Sequence, residues 1–175
     1  RELGGRRHVF AHNGQLNGIE TRHAGEWQRF RPLGQTDSET AFCILLERLA
    51  SLWQGDRTPA IAARREVFTR FTADMRALGP ANFLYSDGEV LFAHSHRRMQ
   101  ENGRIESPGL WQRSRHCAID SDAEAKPDSA ADTGDMDQQL LLFASVPLDE
   151  RDWSPLAEGE VVTVKDGMAI QGTPD

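Results

Sequence analysis

The residues of this chain with chemistry to offer are its histidines, its two cysteines and two short polar clusters. His94 and His96 lie two apart on a stretch with strand periodicity, so they share a face and could ligate one metal ion. No third ligand has recognisable spacing, and with Arg97 and Arg98 alongside the pair reads as a solvated strand end. His8 and His12, four residues apart on an extended segment, are too distant to share an ion. His116-Cys117 sets an imidazole beside a thiol, but neighbouring strand residues point to opposite faces, which makes Cys117 a small buried hydrophobe. The phosphate-binding GxxxxGK loop, GxGxxG after a strand and GxSxG are all missing. Two clusters remain: Phe10-Ala11-His12-Asn13-Gly14 at the end of a strand, and Thr36-Asp37-Ser38-Glu39 at the start of a helix. Alone, the first reads as an Asn-Gly turn and the second as a capping box. Their order and spacing carry more than either does alone.

The elements that must position them follow from periodicity. His8 to Ala11 reads as a short apolar strand, Asn17-Gly18 as a second turn, and the alternation in 26–30 as another strand closed by Pro32. Behind Thr36, the apolar positions Phe42, Leu45, Leu46, Leu49, Leu52 and Trp53 recur at steps of three and four, predicting a helix that Gly55 ends. Thr58 then caps a second helix with Pro59 in its first turn; Ile61, Val67, Phe68, Phe71, Met75 and Leu78 line one face, and Gly79-Pro80 stops it. From there the period changes to two. Strands are expected over 81–85 and 89–94 around the turn Ser86-Asp87-Gly88, then over 111–119, 140–146 and 160–165, with Asp166-Gly167 as a last turn. A strand, two amphipathic helices and several antiparallel strands predict an α+β domain with helices layered on sheet.

Charge and composition narrow the class. The chain has 175 residues with 20 Lys and Arg against 27 Asp and Glu, a net charge of −7. Seven acids and one base fall between Asp120 and Asp137, so this stretch alone carries −6. It is rich in Ser, Asp and Ala and nearly without apolar side chains, which predicts a solvated insert at 120–137. No apolar run reaches the ~18 residues of a membrane span, and Arg1 to Gly5 does not read as a signal peptide. Two cysteines without CxxC spacing fit reduced thiols in a cytoplasmic protein. Six arginines in the first 31 residues, without interleaved aromatics and in an acidic chain, do not make a nucleic-acid surface.

His12-Asn13-Gly14 ending a strand, followed about twenty residues on by Thr36-Asp37-Ser38-Glu39 opening a helix, resembles class II glutamine amidotransferases, which are N-terminal-nucleophile (Ntn) hydrolases. The stand-alone subgroup related to the ergothioneine-pathway amidohydrolase and the glutathione-degrading glutaminase-like proteins is the most similar. Asn82 to Gly88, Ala144-Ser145-Val146-Pro147-Leu148 with Trp153, and Gly159-Glu160-Val161 to Asp166-Gly167 match in order. The resemblance implies a four-layer α/β/β/α sandwich and hydrolysis of glutamine or a γ-glutamyl amide through a cysteinyl thioester, releasing ammonia. It implies that the Asn13 side-chain amide and the Gly14 N–H hold the developing oxyanion, and that Asp37, with His12 nearby, serves the substrate and its α-ammonium group. It implies a small-molecule substrate and no cofactor.

The nucleophile of that family is a cysteine at the mature N-terminus, whose α-amine is the base. The chain starts at Arg1, and Cys43 and Cys117 fall in the wrong places. The resemblance therefore implies that residues 1–175 are the C-terminal part of one such domain, lacking its N-terminal strands, and that these residues alone are inactive. Exposed sheet groups left by missing strands favour self-association or a partner subunit. The alternative is a catalytically inactive binding or scaffold module of the same fold.

Overall fold

The computed structural model describes residues 1–54, 57–117 and 138–170. The expected helix stop at Gly55, the acidic insert and the side chains of His116 and Cys117 fall outside the described residues. β1 (Glu2–Leu3) and β2 (Arg6–Arg7) pair as a small hairpin and lead into β3 (Val9–Gly14). Three helices follow, α1 (Ile19–Arg22), α2 (Asp37–Leu49) and α3 (Ile61–Arg76). The remaining elements are strands: β4 (Ala81–Ser86), β5 (Leu91–His94), β6 (Arg98–Met99), β7 (Ile105–Glu106), β8 (Trp111–Cys117), β9 (Gln138–Ala144), β10 (Ser154–Pro155), β11 (Val161–Lys165) and β12 (Met168–Ile170).

Five strands form an antiparallel sheet in the order β12-β11-β5-β4-β3, and β10-β8-β9 form a second sheet. α2 packs on β3, and α3 on β4 and β5. The period of two explains this face. His8 just before β3 and Phe10 and His12 within it, with Phe83 and Tyr85 of β4, point toward the helices, where Phe10 stacks on Phe42 (5.3 Å between centroids) and Phe68 on Tyr85 (5.7 Å). Phe68, Phe71 and Phe92 are fully buried there, each contributing roughly 1.5–3 kcal/mol by leaving water. The second sheet meets the first where Asn13 bonds to Ser145 and where Gly167 closes on the Gln139 carbonyl. The architecture is thus mixed α and β, helices against a sheet, as expected.

Several local expectations change. Asn13 and Gly14 are not a turn: they pair in register with Asn82 and Ala81 as the last residues of β3. Gly18 is the left-handed N-cap of α1 rather than part of a hairpin. The 26–30 segment is no strand, because the main-chain N–H groups of Gln28, Arg29 and Phe30 all donate to Glu47 Oε2 (2.9–3.2 Å), which leaves none for a ladder. The Thr36 hydroxyl accepts from Glu39 N at 3.2 Å as a capping box requires, but the Glu39 carboxylate accepts from Leu33 N and Gly34 N and pairs with Arg1 instead of closing the box. α3 starts at Ile61 behind Ala60, two residues later than a Thr58 cap predicts; the Thr58 hydroxyl takes a hydrogen bond from Arg6. His94 and His96 are not at a solvated end. β5 lies between β4 and β11, so His94 is fully buried and His96 nearly so.

A buried ion network locks α3 to the sheet. Arg64, 1% exposed, donates to Asp87 (2.5 Å) and Glu89 (2.8 Å), and Lys165 reaches Glu89 from β11. Asp87, in the expected turn, is fully buried and also accepts from Glu89 N and Val90 N.

Candidate active site

The candidate residues gather at the C-terminal end of β3. His12 faces the helices, and its ring nitrogens lie 3.0 Å from Ser38 Oγ and 3.3 Å from the Pro80 carbonyl. That carbonyl can only accept, so Nε2 carries the proton, and Nδ1 of the neutral ring can accept from the Ser38 hydroxyl, which also lies 3.2 Å from Asp37 Oδ1 as a donor. Burial lowers the His12 pKa against the opposing pull of the Pro80 carbonyl and Asp37, which favours this neutral form. The ring is 1% exposed, so as placed it braces Ser38 and Pro80.

Asp37, at the first helical position of α2, lies 4.0 Å from His12 Nδ1. Its Oδ2 accepts from Leu16 N (2.7 Å) and its Oδ1 from Ser38 N (2.7 Å). The carboxylate thus ties the segment leaving β3 to the start of α2 and remains a quarter exposed. The helix N-terminus favours a carboxylate there.

Asn13 points away from the helices, as alternation demands, and is exposed; its Nδ2 donates to Ser145 Oγ across 2.6 Å. Its main-chain carbonyl accepts from the side chain of Asn82 (2.9 Å). Asn82 is buried and fully engaged, donating also to Arg97 O (2.8 Å) and accepting from His96 N (2.7 Å). Gly14 is obligatory by contact: a Cβ there would fall 1.9 Å from the Pro80 carbonyl oxygen. Gln15 N donates to the same oxygen (3.1 Å), so Pro80 fixes the backbone just past Gly14.

The structure therefore brings Asp37 to His12 and Leu16, and sets Asn13 and Gly14 at the same strand end. Asp37 and Asn13 share no hydrogen bond among the described residues. Sequence reasoning missed the parts played by Ser38, Asn82 and Ser145. Ser38 and Ser145 sit inside the matching motifs, but only pairing across 26 and 132 residues reveals their partners. Cys43 is fully buried in α2, and burial pushes its thiol up. Among the described residues no group of three His, Cys, Asp or Glu could hold a metal ion, and no helix is long and apolar enough to cross a membrane.

The chain belongs to the class-II glutamine amidotransferases, whose family model matches residues 1–174. Two curated relatives with provisional glutamine amidotransferase names are similar to it. YafJ of Escherichia coli (strain K12) is 33% identical over 162 residues, 91% of this chain and 58% of the relative. A Haemophilus influenzae protein is 30% identical over 180 residues, 99% of this chain and 56% of the relative. The chain thus spans a little over half the length of these relatives. A crystal structure of a predicted glutamine amidotransferase from Pseudomonas aeruginosa PA01 superposes with a TM-score of 0.69 at 29% identity, covering 98% of this chain and 63% of that one. A class-II domain protein from Silicibacter pomeroyi (TM-score 0.51, 24% identity, 94% and 66% covered) shares the fold.

Proposed function

We propose that residues 1–175 form the oxyanion and ammonium side of a glutaminase site that hydrolyses glutamine, or a related γ-glutamyl amide, through a cysteinyl thioester. The fold read here is the four-layer Ntn sandwich without its N-terminal strands. As a thiolate attacks the carboxamide carbon, negative charge builds on the former carbonyl oxygen. The second N–H of the Asn13 amide and the Gly14 N–H are the donors proposed for it, fixed in advance by Ser145, Asn82 and Pro80. Such preorganised donors typically supply ~10²–10³ in rate each. Asp37 receives the α-ammonium group. The Ser38 hydroxyl lies 3.0 Å from His12 Nδ1 and 3.2 Å from Asp37 Oδ1, so its one proton can turn to His12 when the ammonium group takes its place on the carboxylate. Collapse of the tetrahedral adduct releases ammonia and leaves the thioester, which water then hydrolyses to the free acid.

The observation that carries the reading is the carboxylate of Asp37 beside His12 at the strand end that presents an exposed Asn13. Cys43 is buried inside a helix and its thiol is pushed up, which argues against it as the nucleophile; the family resemblance, which puts that cysteine at a mature N-terminus, is the ground on which we assign it to a residue outside 1–175. Residues 1–175 alone then release no ammonia from glutamine above background. A protein that also carries the nucleophile does, and loses about 10²–10³ of kcat on Asn13→Ala with KM little changed. Ammonia release by residues 1–175 alone, abolished by Asn13→Ala, would overturn the assignment of the nucleophile.

One observation favours the second reading, an inactive binding or scaffold module: both Asp37 oxygens already hold main-chain N–H groups, as a purely structural clamp would. Glutamine binding measured by calorimetry separates the two. Binding that Asp37→Asn weakens supports the enzyme, and its absence supports the module.

A further inference from the structure

Beside Gly79-Pro80 lies an open cleft of about 540 Å³, bordered by the end of α3, the residues after β5, Ile105 and Glu158. Its polar lining is cationic. Arg97 and Glu158 pair at 2.8 Å, and the Glu158 carboxylate also lies 3.6 Å from His96 Nε2 and within electrostatic reach of Arg76. Arg76, the last residue of α3, has no such partner: among the described residues its guanidinium forms no ion pair, and its Nε is buried without a hydrogen bond. The guanidinium packs over Gly159, where a Cβ would fall 2.5 Å from Nη1, so the glycine leaves room for it. His96, 6% exposed, also lines the cleft and keeps Nδ1 buried without a partner. Two guanidiniums thus share the field of one carboxylate, so the cleft keeps a net positive charge, and the Arg76 donors are unfilled.

We propose that this cleft binds a small organic carboxylate through the fork of Arg76. Three features select that class. One unpaired guanidinium matches a monoanion, and its planar fork takes a carboxylate through two parallel hydrogen bonds. The partial negative charge at the C-terminus of α3 disfavours a dianion such as phosphate. Ala73, Ala77, Leu78 and Pro80 offer apolar walls to the body of an organic acid. The site stands independently of the glutaminase reading, although Pro80 borders both places and its carbonyl holds Gln15 N and the His12 ring.

The test is an NMR titration of the protein with isobutyrate, following the Arg76 Nε–Hε resonance, with isobutyramide and inorganic phosphate run in parallel. Expected is a saturable shift with isobutyrate, none with isobutyramide, and binding to phosphate about tenfold weaker or less. Arg76→Gln, which breaks no ion pair, abolishes the isobutyrate response elsewhere in the cleft, while Asp37→Asn leaves the Arg76 shift intact. The proposal is overturned if no saturable shift appears, if isobutyramide or phosphate matches isobutyrate, or if Arg76→Gln binds as the parent does. Should Arg76→Gln fail to fold, the comparison of acid with amide on the unaltered protein still decides. Because glutamine binding is not the readout, failure here is separable from failure of the glutaminase proposal.

Discussion

Asn82 and Asn13 face each other in register on β4 and β3, and the side-chain amide of Asn82 holds the main-chain carbonyl of Asn13 at 2.9 Å. The same amide grips Arg97 O and His96 N, so one buried side chain ties the candidate oxyanion strand to the segment beyond β5. A Cβ at Gly109 would fall 1.7 Å from its Oδ1, which shows how closely the backbone is built around this carboxamide.

Asn82→Ala strands a buried N–H and two carbonyls. Unsatisfied groups cost ~1–3 kcal/mol each, so chemical denaturation should show a loss of about 3 kcal/mol or more. In a protein carrying the nucleophile, kcat for ammonia release falls with it.

Gly14→Ala meets the Pro80 carbonyl at 1.9 Å, backbone against backbone, so neither side can swing away. A melting curve should register a loss on the order of 2–4 kcal/mol, in the range of other strained or overpacked substitutions. Gly5→Ala is the control for added side-chain bulk, since a Cβ there touches nothing within 4 Å.

Arg64→Ala leaves Asp87 buried and unpaired. Removing one partner of a buried pair costs ~3–5 kcal/mol, measurable as a lower urea midpoint. Replacing the pair together, as Arg64→Met with Asp87→Asn, should recover part of that loss, because no charge is then left without a counterpart.

Acid should weaken the fold through its buried histidines. Burial, then the charges of Arg76 and His96, push His94 down from 6.5 to about 3. His8, His12 and His96 are lowered too, each chiefly by burial. The unfolded chain then binds protons that the folded chain refuses, so stability is full above pH 6.5 and falls as pH drops toward 3. His94 alone accounts for about 2–3 kcal/mol between pH 6.5 and 4.5, at 1.36 kcal/mol per unit. Denaturation series over that interval should show the slope, and His94→Leu should flatten it by about one proton.

The legible parts of the fold were those in which neighbours along the chain decide the structure. The apolar spacing of Phe42 to Leu49, the Thr36 cap and the Ser86-Asp87-Gly88 turn each specify their element locally, and each is found. The 26–30 segment and the Glu39 side chain went elsewhere because a distant group offered a better partner: Glu47 for three main-chain donors, Leu33 and Gly34 for the carboxylate. His94 and His96 looked solvated because their neighbours Arg97 and Arg98 are charged. Only the place of β5 within the sheet buries them. At the candidate site, Asn13, Gly14 and Asp37 were legible as motif residues. Their supports were not, since Ser145, Asn82 and Pro80 become neighbours only after long-range pairing.

The bond from Asn13 to Ser145 spans 132 positions of chain. Contacts that close so large a loop form late, after local helices and hairpins are in place. The helices and the β4–β5 hairpin can therefore assemble while the Asn13 amide still turns freely, and its aim is settled only when the last third of the polypeptide arrives.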